Sequence, residues 1–243
     1  MLSVLDGISS VTVTTLAVCV VAASVWRRSV RRYLFANLFV AMMLLGDGIR
    51  YAVLYSFGFR SPEYLYTFIA TDALMVAATY LLLVGFFDVI FRETALRGQV
   101  RTALFAFVVI IGVVSWAMIA RGLPNFYSHL IVEFQQNMYF GALILTVLVW
   151  ISLTHLRIED RQLALMVAGL GLCLSTQAAN YAFHNLLSRE VFESLSFIMR
   201  RVHVLSTALQ LGMWCYAIGY VQAGAPVPAR AAELLPAEAQ GGV

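Results

Sequence analysis

Unbroken apolar runs occupy residues 8–26, 33–57, 64–91, 101–120, 127–154, 162–186 and 197–221, and each is long enough to cross a bilayer as a helix. In hydrocarbon every backbone N–H and C=O must find its partner within the same segment, which leaves helices as the economical solution for runs of this kind. The sequence therefore predicts an all-α, polytopic membrane protein: a seven-transmembrane-helix bundle over residues 1–222, followed by a disordered tail at 223–243. The tail is rich in Ala, Pro and Glu and has little to bury. A hydrophobic content of 61% against 12% charged residues fits a chain whose main solvent is lipid.

Short breaks separate the runs, and their charges predict an orientation. Arg27, Arg28, Arg31, Arg32, Arg92, Arg97, Arg101, Arg157, Arg161 and Arg230 fall on one side, against Arg60, Arg121 and Arg189 on the other. The positive-inside rule then puts the N-terminus outside and the C-terminus in the cytoplasm. Met1 to Ser10 has no basic residue, so the first span reads as retained rather than cleaved. All five prolines, Pro62, Pro124, Pro226, Pro228 and Pro236, lie outside the spans, which predicts continuous helices. Small residues such as Ala73, Ala77 and Gly85, or Gly169 and Cys173, recur at spacings that let helix backbones approach closely.

Polar residues at bilayer depth are costly and belong on the inside of a bundle. Span five carries His129, Glu133, Gln136 and Asn137 along one face; span six carries Gln177, Asn180 and His184. Span seven carries Arg200, His203, Thr207 and Gln210 in the same manner. Span two adds Asp47 and Arg50, one turn apart and readable as a self-neutralising pair, and span three adds Asp72 with Thr79. Near the cytoplasmic interface Asp88 is expected to pair with Arg92. Spans one and four lack such stripes and read as peripheral. Counting depth along each helix puts most of these groups in the outer half, which predicts a polar cavity open to the outside and sealed inside. The same stripes would also serve a bundle whose polar groups only bond helix to helix, at roughly 1 kcal/mol or less each.

Several functions are narrowed by composition. The net charge of +3 comes from arginine alone, since the chain has no lysine, and it is dispersed between apolar runs, which speaks against a nucleic-acid partner. The missing lysine excludes covalent retinal. Cys19, Cys173 and Cys215 sit in apolar runs without metal or disulfide spacing and read as packing residues. His129, Glu133, His184 and His203 could supply a metal site, and His184 with His203 a haem, but no ligand-pair motif accompanies them. A secondary transporter would use the buried Asp, Glu and Arg, yet no repeat or interrupted helix is visible. The leading expectation is a receptor-like or sensory membrane protein, surrounded by lipid. It binds a small polar ligand or lipid and acts through a partner protein. Its candidate ligand-binding residues are Asp47, Arg50, Asp72, His129, Glu133, Gln136, Gln177, Asn180, His184, Arg200, His203 and Gln210.

The stretch Val132-Glu133-Phe134-Gln135-Gln136-Asn137, the loop Leu156-Arg157-Ile158-Glu159-Asp160-Arg161 and the run Ala168-Gly169-Leu170-Gly171-Leu172 resemble a group of seven-helix proteins common in acidobacterial genomes. That group often has Arg after the Glu, where this chain has Phe134. The resemblance implies a bacterial inner-membrane bundle and assigns no activity or site residue.

Overall fold

The computed structural model describes residues 4–59, 61–92, 94–120, 126–156, 158, 160–186 and 189–221; within these, side chains 4–8, 111, 112, 114–120, 126–134, 184–186, 189–197 and 200 lie outside the description. The expected tail at 223–243 therefore falls outside the described residues. Seven helices are described, with no strand among the described residues: α1 (Val4–Trp26), α2 (Leu34–Phe57), α3 (Pro62–Ile90), α4 (Arg97–Ala120), α5 (Phe126–His155), α6 (Arg161–Leu186) and α7 (Arg189–Tyr220). Five, namely α1, α2, α3, α5 and α6, are long and apolar enough to cross a membrane. α7 begins eight residues before the apolar run that marks it in the sequence, at Arg189 rather than 197. It is also the least apolar and the most one-sided of the seven, as a helix carrying a polar stripe must be.

Local chemistry sets the helix ends. The Ser61 hydroxyl accepts from the Tyr64 N–H at 3.1 Å and Pro62 occupies the first turn, so α3 starts where the sequence suggests a turn. Asp160 caps α6 in the same manner, its Oδ1 accepting from the Leu163 N–H at 3.1 Å. α2 ends at Gly58, whose φ of 83° suits glycine and lets its N–H return to the Leu54 carbonyl.

The helices follow one another around a ring. α1 packs on α2, α2 on α3, α3 on α5, α5 on α6, α6 on α7, and α7 closes back onto α1, while α4 lies outside against α3 and α5. The peripheral place expected for span four agrees with this. For span one the expectation fails: α1 is a member of the ring, because its small residues Ala17 and Ser24 sit fully buried. Leu45, Ile49, Leu81, Phe105, Ile144, Val147 and Leu209 are exposed, so the ring turns apolar side chains outward, as a lipid-facing surface requires.

Inside, the half of the bundle that holds the C-terminal end of α7 is packed solid. Leu82, Leu83, Val149, Leu163, Met166, Leu170, Leu211 and Trp214 are essentially inaccessible. Trp214 donates its indole N–H to the Met166 carbonyl at 2.8 Å, which satisfies its one polar atom. Gly169 makes this possible: a Cβ there would lie 3.2 Å from Trp214 Nε1 and 3.4 Å from the Gln210 Cα. Gly85 plays the same part between α3 and α2, where a Cβ would meet Phe35 at 2.5 Å.

Polar groups tie this end shut. Arg27 donates from Nε and Nη2 to the Gly219 carbonyl at the end of α7. Arg32 pairs with Asp160 at 2.6 Å, and the Tyr33 hydroxyl donates to Gln162 at 2.8 Å. Asp88 pairs in bidentate fashion with Arg97, at 2.7 and 2.9 Å, and not with Arg92 as expected; the turn between α3 and α4 folds Arg97 back over the end of α3.

Because Gly169 leaves no room for a side chain against backbone, Gly169→Leu should destabilise the bundle by about 1–3 kcal/mol, the usual range for overpacking. A fall in unfolding temperature in detergent, with Gly212→Ala as an unclashing control, checks this; equal melting of the two variants would refute the close approach of α6 and α7.

Candidate functional site

At the other end, which carries the N-terminal part of α1, the bundle encloses a cavity of about 410 Å³. Its walls are built at helical spacing from the ring: Phe39, Met43, Asp47 and Arg50 from α2; Asp72, Met75 and Thr79 from α3; Leu170, Leu174 and Gln177 from α6; His203, Thr207 and Gln210 from α7. α5 contributes Tyr139, and α1 contributes Ser9, Ser10 and Val13. Most of the wall is apolar, so its few polar groups are conspicuous.

The strongest of these is Arg50. Its Nε donates to Thr71 Oγ1 at 2.6 Å, its Nη2 lies 3.6 Å from Asp72 Oδ1, and its guanidinium carbon sits 4.5 Å from the centre of the Phe68 ring. Thr71 passes the load on, donating in turn to the Thr67 or Phe68 carbonyl. Arg50 is thus strapped to α3. The Asp47–Arg50 pair expected from the sequence closes no salt bridge: Thr71 and Asp72 offer the fork two nearer partners on the neighbouring helix, and Arg50 acts on Asp47 only from farther off. Tyr139 turns its phenol toward Asp72 from the α5 side.

Across the cavity, α6 and α7 present amides and an imidazole. Gln177 Nε2 and His203 Nε2 are 3.3 Å apart. With the amide donating, the ring proton sits on Nδ1. Thr207 donates back to the His203 carbonyl and touches Cys173 Sγ at 3.8 Å. Ser10 and Tyr51 hydroxyls meet at 2.8 Å and join α1 to α2 at the cavity wall. Behind Tyr139, the Tyr181 ring stacks at 5.6 Å and its hydroxyl donates to Gln135 at 3.1 Å.

Three buried polar atoms of cavity-lining side chains have no hydrogen-bond partner among the described residues: Asp72 Oδ2, His203 Nδ1 and Gln210 Nε2. Gln210 is only 1% exposed. Leaving a buried donor or acceptor unmet costs about 1–3 kcal/mol, so three on side chains that line one cavity mark it as a place that something polar completes.

The structure brings together six of the twelve residues expected for the site, Asp47, Arg50, Asp72, Gln177, His203 and Gln210. Gln136 and Asn180 do not line the cavity. The side chains of His129, Glu133, His184 and Arg200 lie outside the described residues, and with them three of the four atoms sets considered for a metal. Among the described residues no three His, Cys, Asp or Glu come together as a metal site. Tyr139, Tyr51, Ser9 and Ser10 were not expected. Tyr139 continues the α5 stripe three residues beyond Gln136, a spacing that could have revealed it. No family model, curated protein or solved structure matches the chain.

Since Asp72 holds Arg50 at 3.6 Å and Asp47 closes no salt bridge among the described residues, the two carboxylates should respond differently to amide substitution. Asp72→Asn should lower stability by about 1–3 kcal/mol through the loosened guanidinium, and Asp47→Asn should change it by less than about 0.5 kcal/mol. Chemical or thermal unfolding of both variants in the same detergent gives the comparison, and an equal loss would contradict the assigned pairing.

Proposed function

We propose that this chain is a receptor-like protein of the bacterial inner membrane that crosses the bilayer seven times and binds a small polar ligand in an outward-facing pocket. The observation that carries this reading is that Asp72, His203 and Gln210, each with a buried side-chain atom that no described hydrogen bond meets, all line one 410 Å³ cavity. That volume and its mostly apolar wall with a few convergent polar groups are the usual form of a small-molecule site.

Polarity along the bundle supports the direction. The cavity lies at the end that holds the start of α1, and the ion-paired, close-packed end holds Arg27, Arg32 and Arg97. Under the positive-inside rule the arginine-rich end faces the cytoplasm, which leaves the cavity to the outside. α4 and α7 complete the seven crossings, α7 trading hydropathy for its share of the pocket wall. Occupancy would be read by a partner protein through the cytoplasmic arginine loops.

Thiol labelling tests this directly. Cys173 lines the cavity, so a chain with Cys19→Ser and Cys215→Ser carries one reporter there. A small membrane-impermeant thiol reagent should modify it in intact cells and not from the cytoplasmic face of inverted vesicles. The packed end should stay silent, as checked with Leu163→Cys in a background that lacks all three native cysteines. Modification of Cys173 from the cytoplasmic face alone would reverse the proposed orientation. Native mass spectrometry of protein drawn gently from its own membrane should find a small polar molecule that Gln210→Leu loses.

A further inference from the structure

Asp47 and Asp72 stand on the α2 and α3 side of the cavity, and one described guanidinium lines it, that of Arg50. Arg50 is already held by Asp72 and Thr71. Asp47 lines the space with a carboxylate that closes no salt bridge among the described residues, Arg50 acting on it only from farther off, and Asp72 adds an Oδ2 that no described hydrogen bond meets. The opposite wall is of the other kind: Gln210 Nε2 and, in the tautomer that Gln177 favours, His203 Nδ1 are unmet N–H donors. Arg201 stands on this side too, with Nη1 3.5 Å from Ser9. The rings of Phe39, Tyr51 and Tyr139 line the space between.

Acceptors and negative charge on one wall, donors on the other and aromatic rings in between describe a dipolar guest. We infer that the cavity takes a small organic ammonium that carries a hydrogen-bond acceptor at its far end, such as an amino alcohol or a betaine. The ammonium sits against Asp47 and Asp72, where carboxylate charge and aromatic faces both favour a cation. The hydroxyl or carboxylate of the guest accepts from Gln210 and His203. A guest of this form offers a partner to each of the three lining side chains that carry an unmet atom, whereas an anion would meet two carboxylates and a proton alone would leave Gln210 and His203 unmet. The inference rests on the proposed reading of the cavity as a binding pocket and adds the charge of what fills it.

The test uses the full chain in lipid nanodiscs, titrated calorimetrically with choline, ethanolamine and glycine betaine. Each is paired with the compound in which carbon replaces the nitrogen: 3,3-dimethylbutan-1-ol, propan-1-ol and 3,3-dimethylbutanoate. At least one ammonium should bind about tenfold or more tightly than its carbon counterpart. Asp47→Asn should erase that difference while the protein unfolds at an unchanged temperature. Gln210→Leu should weaken ammonium and counterpart alike. If the carbon compounds bind as well as their ammonium partners and Gln210→Leu weakens them, the cavity is a pocket but not one for cations, and this inference falls alone. If no compound of either kind binds and native mass spectrometry finds nothing retained, the pocket reading falls with it.

Discussion

A polar side chain on a helix whose outer face meets apolar surroundings has only one direction to point, and the rest of this bundle is arranged around that restriction. The ring of α1, α2, α3, α5, α6 and α7 turns leucine, isoleucine and valine outward and gathers Asp47, Arg50, Asp72, Gln177, His203 and Gln210 inside. Gathering alone is not enough, because a charge brought inside must still be met. Arg50 is met three ways, by Thr71, by Asp72 and by the face of Phe68, and all three sit on α3. One side chain thereby fixes how α2 stands against α3 and leaves Asp47 on the cavity wall without a salt bridge among the described residues.

The two ends of the bundle solve the same problem in opposite ways. At the α7 C-terminal end several polar groups find a protein partner close by: Arg27 a carbonyl, Arg32 and Arg97 a carboxylate, Tyr33 an amide oxygen. Between them and the cavity lies a layer of large side chains with no accessible surface. At the cavity end matching is incomplete, and three of the side chains left with an unmet buried atom, Asp72, His203 and Gln210, line one space. A shared cavity is what separates a pocket from the ordinary helix-to-helix hydrogen bonding of a polytopic protein.

Much of this was written in the sequence, and the reason is energetic. Seven apolar runs can hardly be anything but helices, and polar stripes on α6 and α7 are too expensive to occur on an outer face, so Gln177, His203 and Gln210 could be read as interior residues. What periodicity does not contain is the register of one helix against the next. Asp47 and Arg50 are neighbours on their own helix, and nothing in their spacing reveals that Thr71 and Asp72 stand closer to the guanidinium. For the same reason Arg92 looked a better partner for Asp88 than Arg97, which reaches it only because the chain doubles back. α1 was misjudged because small residues such as Ser9 and Ser10 declare no stripe, although small size is what lets α1 close the ring.

Gln210 and Trp214 are four residues apart on α7, one facing the cavity and the other sunk in the packed layer. Gly169 lies against both, and a methyl group there would sit 3.2 Å from the indole nitrogen and 3.4 Å from the Gln210 Cα, a tight fit. The floor of the wet half and the ceiling of the dry half are therefore one rigid joint, in which a rotation of α7 that reorients the amide must also swing the indole against α6. Whatever Gln210 holds, the wedge beneath it registers.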